Sequence, residues 1–289
     1  MNYMAVVAGL KPLLDDGIPV KSMDAFAAAC GKYGLRFRTE AVFLKEATDE
    51  ELEFVEGGER LNTTKWFGAR YNPSLQGGYV HVFVAKSEDA IEMGYRAGWY
   101  PLIIGSVSFE KPIIDHFRFG AALGVPECCN IFFMKENPKR NFLFTVLKNT
   151  RGMPHYLCNC LTKDNVYSYT YHMPCSFNCA ETIRYAEALR EEVKKREPRF
   201  AAQIDFRLKT PFLVFEEQFI YAFDGYFTDF GTISYKRAFF VGNLRNDRFS
   251  DLLNAANRLR ILDNTIQLFN NDRMVGEIAE AGFLVCFGE

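Results

Sequence analysis

Residues Phe212 to Phe223 read F-L-V-F-E-E-Q-F-I-Y-A-F, and Tyr226 to Tyr235 read Y-F-T-D-F-G-T-I-S-Y. Aromatic and β-branched side chains dominate both runs, and such residues fit the pleated, half-buried surface of a sheet. Asp224-Gly225 and Phe230-Gly231 supply turn signals within them. The region from Phe206 to Gly242 is therefore predicted to be an antiparallel meander. Beside the helical patterns upstream, it makes the chain α+β.

Moving outward, Ala180 to Arg196 is predicted as a long helix, with Ile183, Ala186, Leu189 and Val193 on one stripe and Glu-to-Lys or Glu-to-Arg pairs on the other face. Glu197-Pro198 ends it. Val166 to Tyr171 and Phe142 to Leu147 read as strands, and Pro126 is placed to be the first residue of a helix, where its missing N–H costs nothing. A further helix is expected from about Pro112 to Leu123. Tyr79 to Ala85 reads as a strand and Ser87 as the cap of the helix after it, while Lys65 to Gly78 reads as a loop carrying Arg70, Tyr71 and Gln76. Ser22 to Gly34 is predicted helical and Leu35 to Leu44 extended. Beyond the meander, a helix from about Arg248 to Leu259 and strands at Thr265 to Phe269 and Phe283 to Phe287 complete the expectation. No internal repeat or linker interrupts the pattern, so the expectation is one α+β domain over residues 1–289, with a mixed or antiparallel sheet and flanking helices.

The chain has 289 residues, 48% apolar and 24% charged, with a formal net charge of -2. That balance gives no general attraction to nucleic acid or anionic membrane. A local basic excess runs from Lys236 to Arg260, most simply a solvated helix face. No segment has the roughly 20 apolar residues of a membrane span, and the N-terminus is a poor signal peptide. A cytoplasmic location is expected, in which the eight cysteines are reduced thiols or ligands and not a disulfide framework.

The soft ligands concentrate in one region, residues 112–182. Six of the eight cysteines and three of the four histidines fall between His116 and Cys179. Glu127-Cys128-Cys129 follows Pro126 at one predicted helix start; Pro174 to Cys179 leads into another, with Ser176 or Asn178 as its cap. Helix starts present unpaired N–H groups and a positive dipole end, which favour the thiolate that attacks electrophiles or binds metal. The C-x-x-C spacing common in structural zinc sites is absent. An adjacent pair rarely gives both sulfurs to one tetrahedral ion, so one of Cys128 and Cys129 is expected to join Cys175 and Cys179 while the other stays a redox, sulfur-carrying or structural thiol. We assign Cys129 to the ligand set and Cys128 to chemistry. His172, in H-M-P-C-S-F-N-C, is a candidate ligand or acid/base group, and His116 a candidate acid/base group or ligand. Three thiolates suit an iron–sulfur cluster or a single transition metal. His155, Cys158 and Cys160 rank below these, and Cys30, His81 and Cys286 read as structural.

The motifs H-F-R-F-G-A-A-L-G-V-P-E-C-C (His116 to Cys129) and H-M-P-C-S-F-N-C (His172 to Cys179) resemble those of a prokaryotic family carrying a domain of unknown function, with the pattern F-G-x-x-L-G-x-P-x-C-C followed by H-x-P-C-S-x-x-C. The resemblance covers about the middle third of the chain. It implies a prokaryotic cytoplasmic protein whose motif residues form one site, and it implies no reaction. The nucleotide-binding, serine-hydrolase, H-E-x-x-H and radical C-x3-C-x2-C patterns are all missing.

These readings combine into an enzyme that uses an iron–sulfur cluster or a single metal for redox or sulfur-related chemistry on a small polar substrate, which Arg70 would contact. Membrane and nucleic-acid partners are not expected. A zinc-stabilised or metal-free binding protein with structural cysteines, and a metal-free enzyme with a cysteine nucleophile, are the alternatives.

Overall fold

The computed structural model describes residues 1–46, 66–70, 77–97, 101–104, 107–110, 115–136, 142–162, 166–216, 219–229, 231–241 and 246–289. By internal contacts the chain divides into two compact units, residues 2–134 and 135–289. Each carries an antiparallel sheet, and the α+β class is what the structure shows.

The first unit begins with α1 (Asn2–Val7), β1 (Leu13–Pro19) and α2 (Met23–Lys32). Gly34, at φ 65°, turns the chain out of α2 into β2 (Arg36–Glu46). Next come β3 (Trp66–Arg70), β4 (Tyr79–Ala85) and α3 (Glu88–Ala97), the last capped as expected by Ser87, whose Oγ accepts from Ala90 N at 3.3 Å. β5 (Pro101–Ile104) and β6 (Val107–Glu110) finish a sheet ordered β1-β4-β2-β3-β6-β5. β4 lies between β1 and β2 and is buried on both faces. Successive strand residues alternate sides, so Val80, Val82 and Val84 pack with Val6, Leu14 and Cys30, while Phe83 and Ala85 pack with Ile91, Ala97 and Phe119. His81, expected in this strand, is buried, with Nε2 2.7 Å from the Asp15 carboxylate.

Two expectations need correction here. Trp66–Arg70 is a strand, paired with β2 and β6, and not part of a loop. Its alternation was obscured by the neighbouring Asn-Pro and Gly-Gly turn signals; Tyr71 and Gln76 lie outside the described residues. The helix expected from Pro112 runs as α4 (His116–Ala122), because Asp115 is its cap and accepts from Arg118 N at 2.9 Å. Residues 111–114 lie outside the described residues. Gly124, at φ 74°, then turns the chain toward α5 (Glu127–Glu136), whose last two residues belong to the second unit.

In the second unit, Phe142 to Leu147, expected extended, is the helix α6 (Phe142–Asn149). Leu143 and Val146 are buried at helical spacing, and a short apolar run does not by itself tell a helix from a strand. Val166 to Tyr171 is irregular instead of a strand. There the Ser168 hydroxyl accepts from Thr170 N at 3.2 Å and donates to Thr170 O at 2.6 Å, replacing ladder bonds with local side-chain bonds. α7 (Ala180–Arg196) ends at Glu197-Pro198 as expected, but Pro198 also opens a helix the sequence reading missed, α8 (Pro198–Leu208), which buries Ala201, Ile204 and Leu208. Arg190 of α7 grips Asp205 of α8 through both Nε and a terminal nitrogen, at 2.7–3.0 Å.

The expected meander follows: β7 (Phe212–Glu216), β8 (Phe219–Asp229) and β9 (Thr232–Phe240), all antiparallel. Asp224-Gly225 is a register shift inside β8, a bulge and not the expected turn, whereas Gly231, at φ 80°, does sit between β8 and β9. α9 (Asp247–Ala255) precedes β10 (Arg258–Leu262), β11 (Thr265–Asn270), β12 (Arg273–Ile278) and β13 (Phe283–Val285). The expected helix thus stops short of Arg258. The sheet order is β12-β11-β10-β9-β8-β7-β13. α9 lays Phe249 and Leu253 into a core with Leu213, Phe223, Ile233 and Ile266. No described helix is long and apolar enough to cross a membrane.

Candidate metal centre

Two local structures place the cysteines. At the start of α5, Pro126 O accepts from Cys129 N and Asn130 N, both at 2.9 Å, so Cys128 and Cys129 lie in the first turn as expected. The Asn130 amide donates to Phe117 O at 2.7 Å and fixes this turn against α4. Position 120 has to be glycine for that, because a Cβ there would collide with the Asn130 amide.

Cys175 and Cys179 sit on an irregular segment between α6 and α7 whose backbone is held by polar side chains. Thr150 Oγ1 accepts from Phe177 N at 2.9 Å and donates to Val146 O at 2.7 Å. Asn178 Oδ1 accepts from His155 N at 3.0 Å, and its Nδ2 donates to Arg151 O at 2.7 Å. Asn149 Nδ2 donates to Cys175 O at 3.1 Å. With Asn178 engaged in this way, neither it nor Ser176 caps α7, contrary to expectation. Cys179 is the capping residue, its carbonyl accepting from Ile183 N at 2.9 Å.

The Sγ atoms of Cys128, Cys129, Cys175 and Cys179 all lie within 4.8 Å of one another. Cys129 and Cys179 are buried, Cys175 is half-buried and Cys128 is exposed. The two sulfurs of the adjacent pair are 3.8 Å apart, so both converge, and no choice between them is needed. A tetrahedral ion with metal–sulfur bonds of about 2.3 Å requires sulfurs about 3.8 Å apart. Four cysteines are thus positioned to bind a metal, and a donor set of thiolates suits soft ions.

None of the other expected site residues is among these four converging donors. The buried His172 has Nε2 3.0 Å from Thr182 Oγ1 in the first turn of α7, and its ring is not among the four donors that converge; Cys128 supplies the fourth. His116 opens α4, exposed, with its ring 6.4 Å from that of Phe133. Of Arg70 the structure describes only the backbone, at the end of β3. His155 caps a turn, its Nδ1 accepting from Leu157 N at 3.2 Å, and burial lowers its pKa. Cys158 is fully buried, its thiol 3.8 Å from Cys179 O; burial foremost holds its pKa well above the thiol range. Cys160 approaches Met173 Sδ at 3.6 Å. Glu181 pairs with Arg184 at 2.7 Å on the exposed face of α7. Within the basic segment, Arg237 faces Asp224 and Arg258 faces Asp272. The sequence gives no sign of the supports Asn149 and Thr150, and Asn178, expected as a helix cap, instead ties the segment to His155 and Arg151.

No family model, curated protein or solved structure matches this chain.

Proposed function

We propose that the protein holds one soft metal ion, zinc or iron, on Cys128, Cys129, Cys175 and Cys179. The observation that carries the reading is the mutual separation of the four sulfurs, all within 4.8 Å. That spacing suits four bonds to a single ion. In a four-iron cluster each thiolate binds a different iron, which drives the sulfurs further apart, so the single ion ranks above the cluster. The resemblance of both cysteine motifs to a prokaryotic family supports treating them as one site, and a cytoplasmic setting, which keeps thiols reduced, belongs to the same proposal.

The chemistry we assign to this centre is redox or sulfur-related, on a small polar substrate. Cys128, the exposed thiol of the four, is the ligand on the side that meets the substrate, while Cys129 and Cys179 hold the ion from the buried side. His172 and His116 are the acid/base groups of this reading, and Arg70 its substrate contact. A purely structural zinc site is the second reading, favoured by the fact that four sulfurs close a tetrahedron.

Metal analysis of protein purified without oxygen, beside a Cys175→Ala/Cys179→Ala variant, tests the assignment. One equivalent of zinc or iron per chain, absent from the variant, is expected. Several irons per chain with a broad visible absorbance would replace the single ion by a cluster, and a folded, metal-free protein would end the proposal.

A further inference from the structure

His172 and Thr182 stand on either side of the segment that carries Cys175 and Cys179, and their side chains meet. His172 Nε2 lies 3.0 Å from Thr182 Oγ1, with both residues buried. One comes three positions before Cys175 and the other three after Cys179. The contact therefore closes a loop on which both sulfurs ride, and closing a loop removes conformations from the chain inside it. Within the loop a further turn closes, Cys179 N donating to Ser176 O at 3.1 Å.

Thr182 anchors this closure to a packed element. On α7 it shares the buried stripe with Ala186, Leu189 and Val193, at the place expected for Ile183. Residues at this spacing lie on one face of a helix. A hydroxyl on such a stripe is costly unless it is hydrogen-bonded, and a valine of the same shape would carry no such cost. The bond to His172 offsets the cost, and it ties the start of the cysteine segment to the buried face of the helix that follows it. Asn149, which donates to Cys175 O, holds the backbone of one ligand; Thr182 holds the whole arc.

We propose that Thr182 is a positioning residue of the metal centre: through His172 it closes the loop that carries Cys175 and Cys179, and so holds both sulfurs ready for the ion. The inference rests on the single-ion reading of the four cysteines. Ligands already in place lose less freedom on binding, which raises affinity. Outer groups that orient ligands are typically worth roughly ten- to a hundredfold in metal affinity.

Zinc affinity, read by competition with a chromophoric chelator, tests it on the wild-type chain, Thr182→Val, Thr182→Ser, His172→Phe and the Thr182→Val/His172→Phe double variant, all purified without oxygen and stripped of metal first. Valine keeps the shape of threonine without its hydroxyl, and serine keeps the hydroxyl. The urea midpoint of each metal-free chain reports its fold separately. Thr182→Val is expected to weaken zinc binding about tenfold or more, with serine restoring most of the affinity. His172→Phe, which keeps a ring and loses its nitrogens, should weaken binding as much, so either variant alone decides the question. Because one bond carries the effect, the double variant should bind no more weakly than the weaker single variant. Unchanged affinity in Thr182→Val or His172→Phe, beside a wild type that binds one zinc, would overturn the positioning role and leave the single-ion reading standing. Effects of the two single variants that simply add would make the pair ordinary core contacts and overturn it as well. A wild-type chain that takes up neither zinc nor iron(II) would end the single-ion reading itself, and the inference with it.

Discussion

The seven-stranded sheet and the cysteine-bearing segment before α7 belong to the same unit of the chain but are held by different forces. The sheet rests on apolar burial, with Leu213, Phe223, Ile233, Leu253, Leu259 and Ile266 removed from water. The described residues between Thr150 and Cys179 have little regular structure, and their backbone is held by the side chains of Asn149, Thr150, Asn159 and Asn178. Apolar burial is strong and non-directional, so it builds a platform. Hydrogen bonds are weaker in net terms but directional, so they can aim two sulfurs at two others. The difference teaches where metal binding should act: on the polar segment, leaving the sheet intact.

Truncating the sheet core sharpens the contrast most. Phe223→Ala should cost about 3–5 kcal/mol, read as a lowered urea midpoint, because it opens a cavity in a packed layer. The next effect is on the polar segment. Asn159 is fully buried, its Nδ2 donating to Leu208 O at 2.7 Å and its Oδ1 accepting from Leu161 N at 2.9 Å. Asn159→Ala leaves both backbone groups unsatisfied and should cost about 1–3 kcal/mol, while metal content falls more than the sheet's own hydrogen-exchange protection. Equal losses of protection in sheet and segment would break the comparison.

The smallest effect comes from His155. Burial lowers its pKa in the fold, so the unfolded chain binds the proton more readily. Stability then rises with pH across this titration: the contribution is present above the unfolded value of about 6.5 and is lost as pH falls through the lower folded value. Denaturation midpoints measured on the wild type and His155→Gln should converge as the pH is lowered below 6.5; a gap that widens on acidification would contradict this sign. Thiolate ligands also protonate in acid, so metal affinity should fall over the same direction of pH.

Regular elements with a strong period are legible in the sequence. The alternation of Tyr79–Ala85, the stripe of α7 and the aromatic runs of β7 to β9 all announced themselves. Short or ambiguous runs are not. Phe142–Leu147 is equally apolar as helix or strand, and Asp224-Gly225 suits a bulge as well as a turn. Of the candidate site, the cysteine positions and the first-turn placement of Cys128 and Cys129 could be read from Pro126 and the spacing. That both sulfurs of the adjacent pair converge with Cys175 and Cys179 depends on the path of the segment between, which is set by hydrogen bonds from Asn and Thr side chains that no periodicity reveals.

X-ray absorption at the edge of the bound metal, on protein purified without oxygen, tests the central claim most directly. The account predicts four sulfur neighbours at about 2.3 Å and no metal–metal scattering, with the sulfur shell reduced in Cys128→Ser. A nitrogen or oxygen shell in the wild type, or a short metal–metal distance, would contradict it.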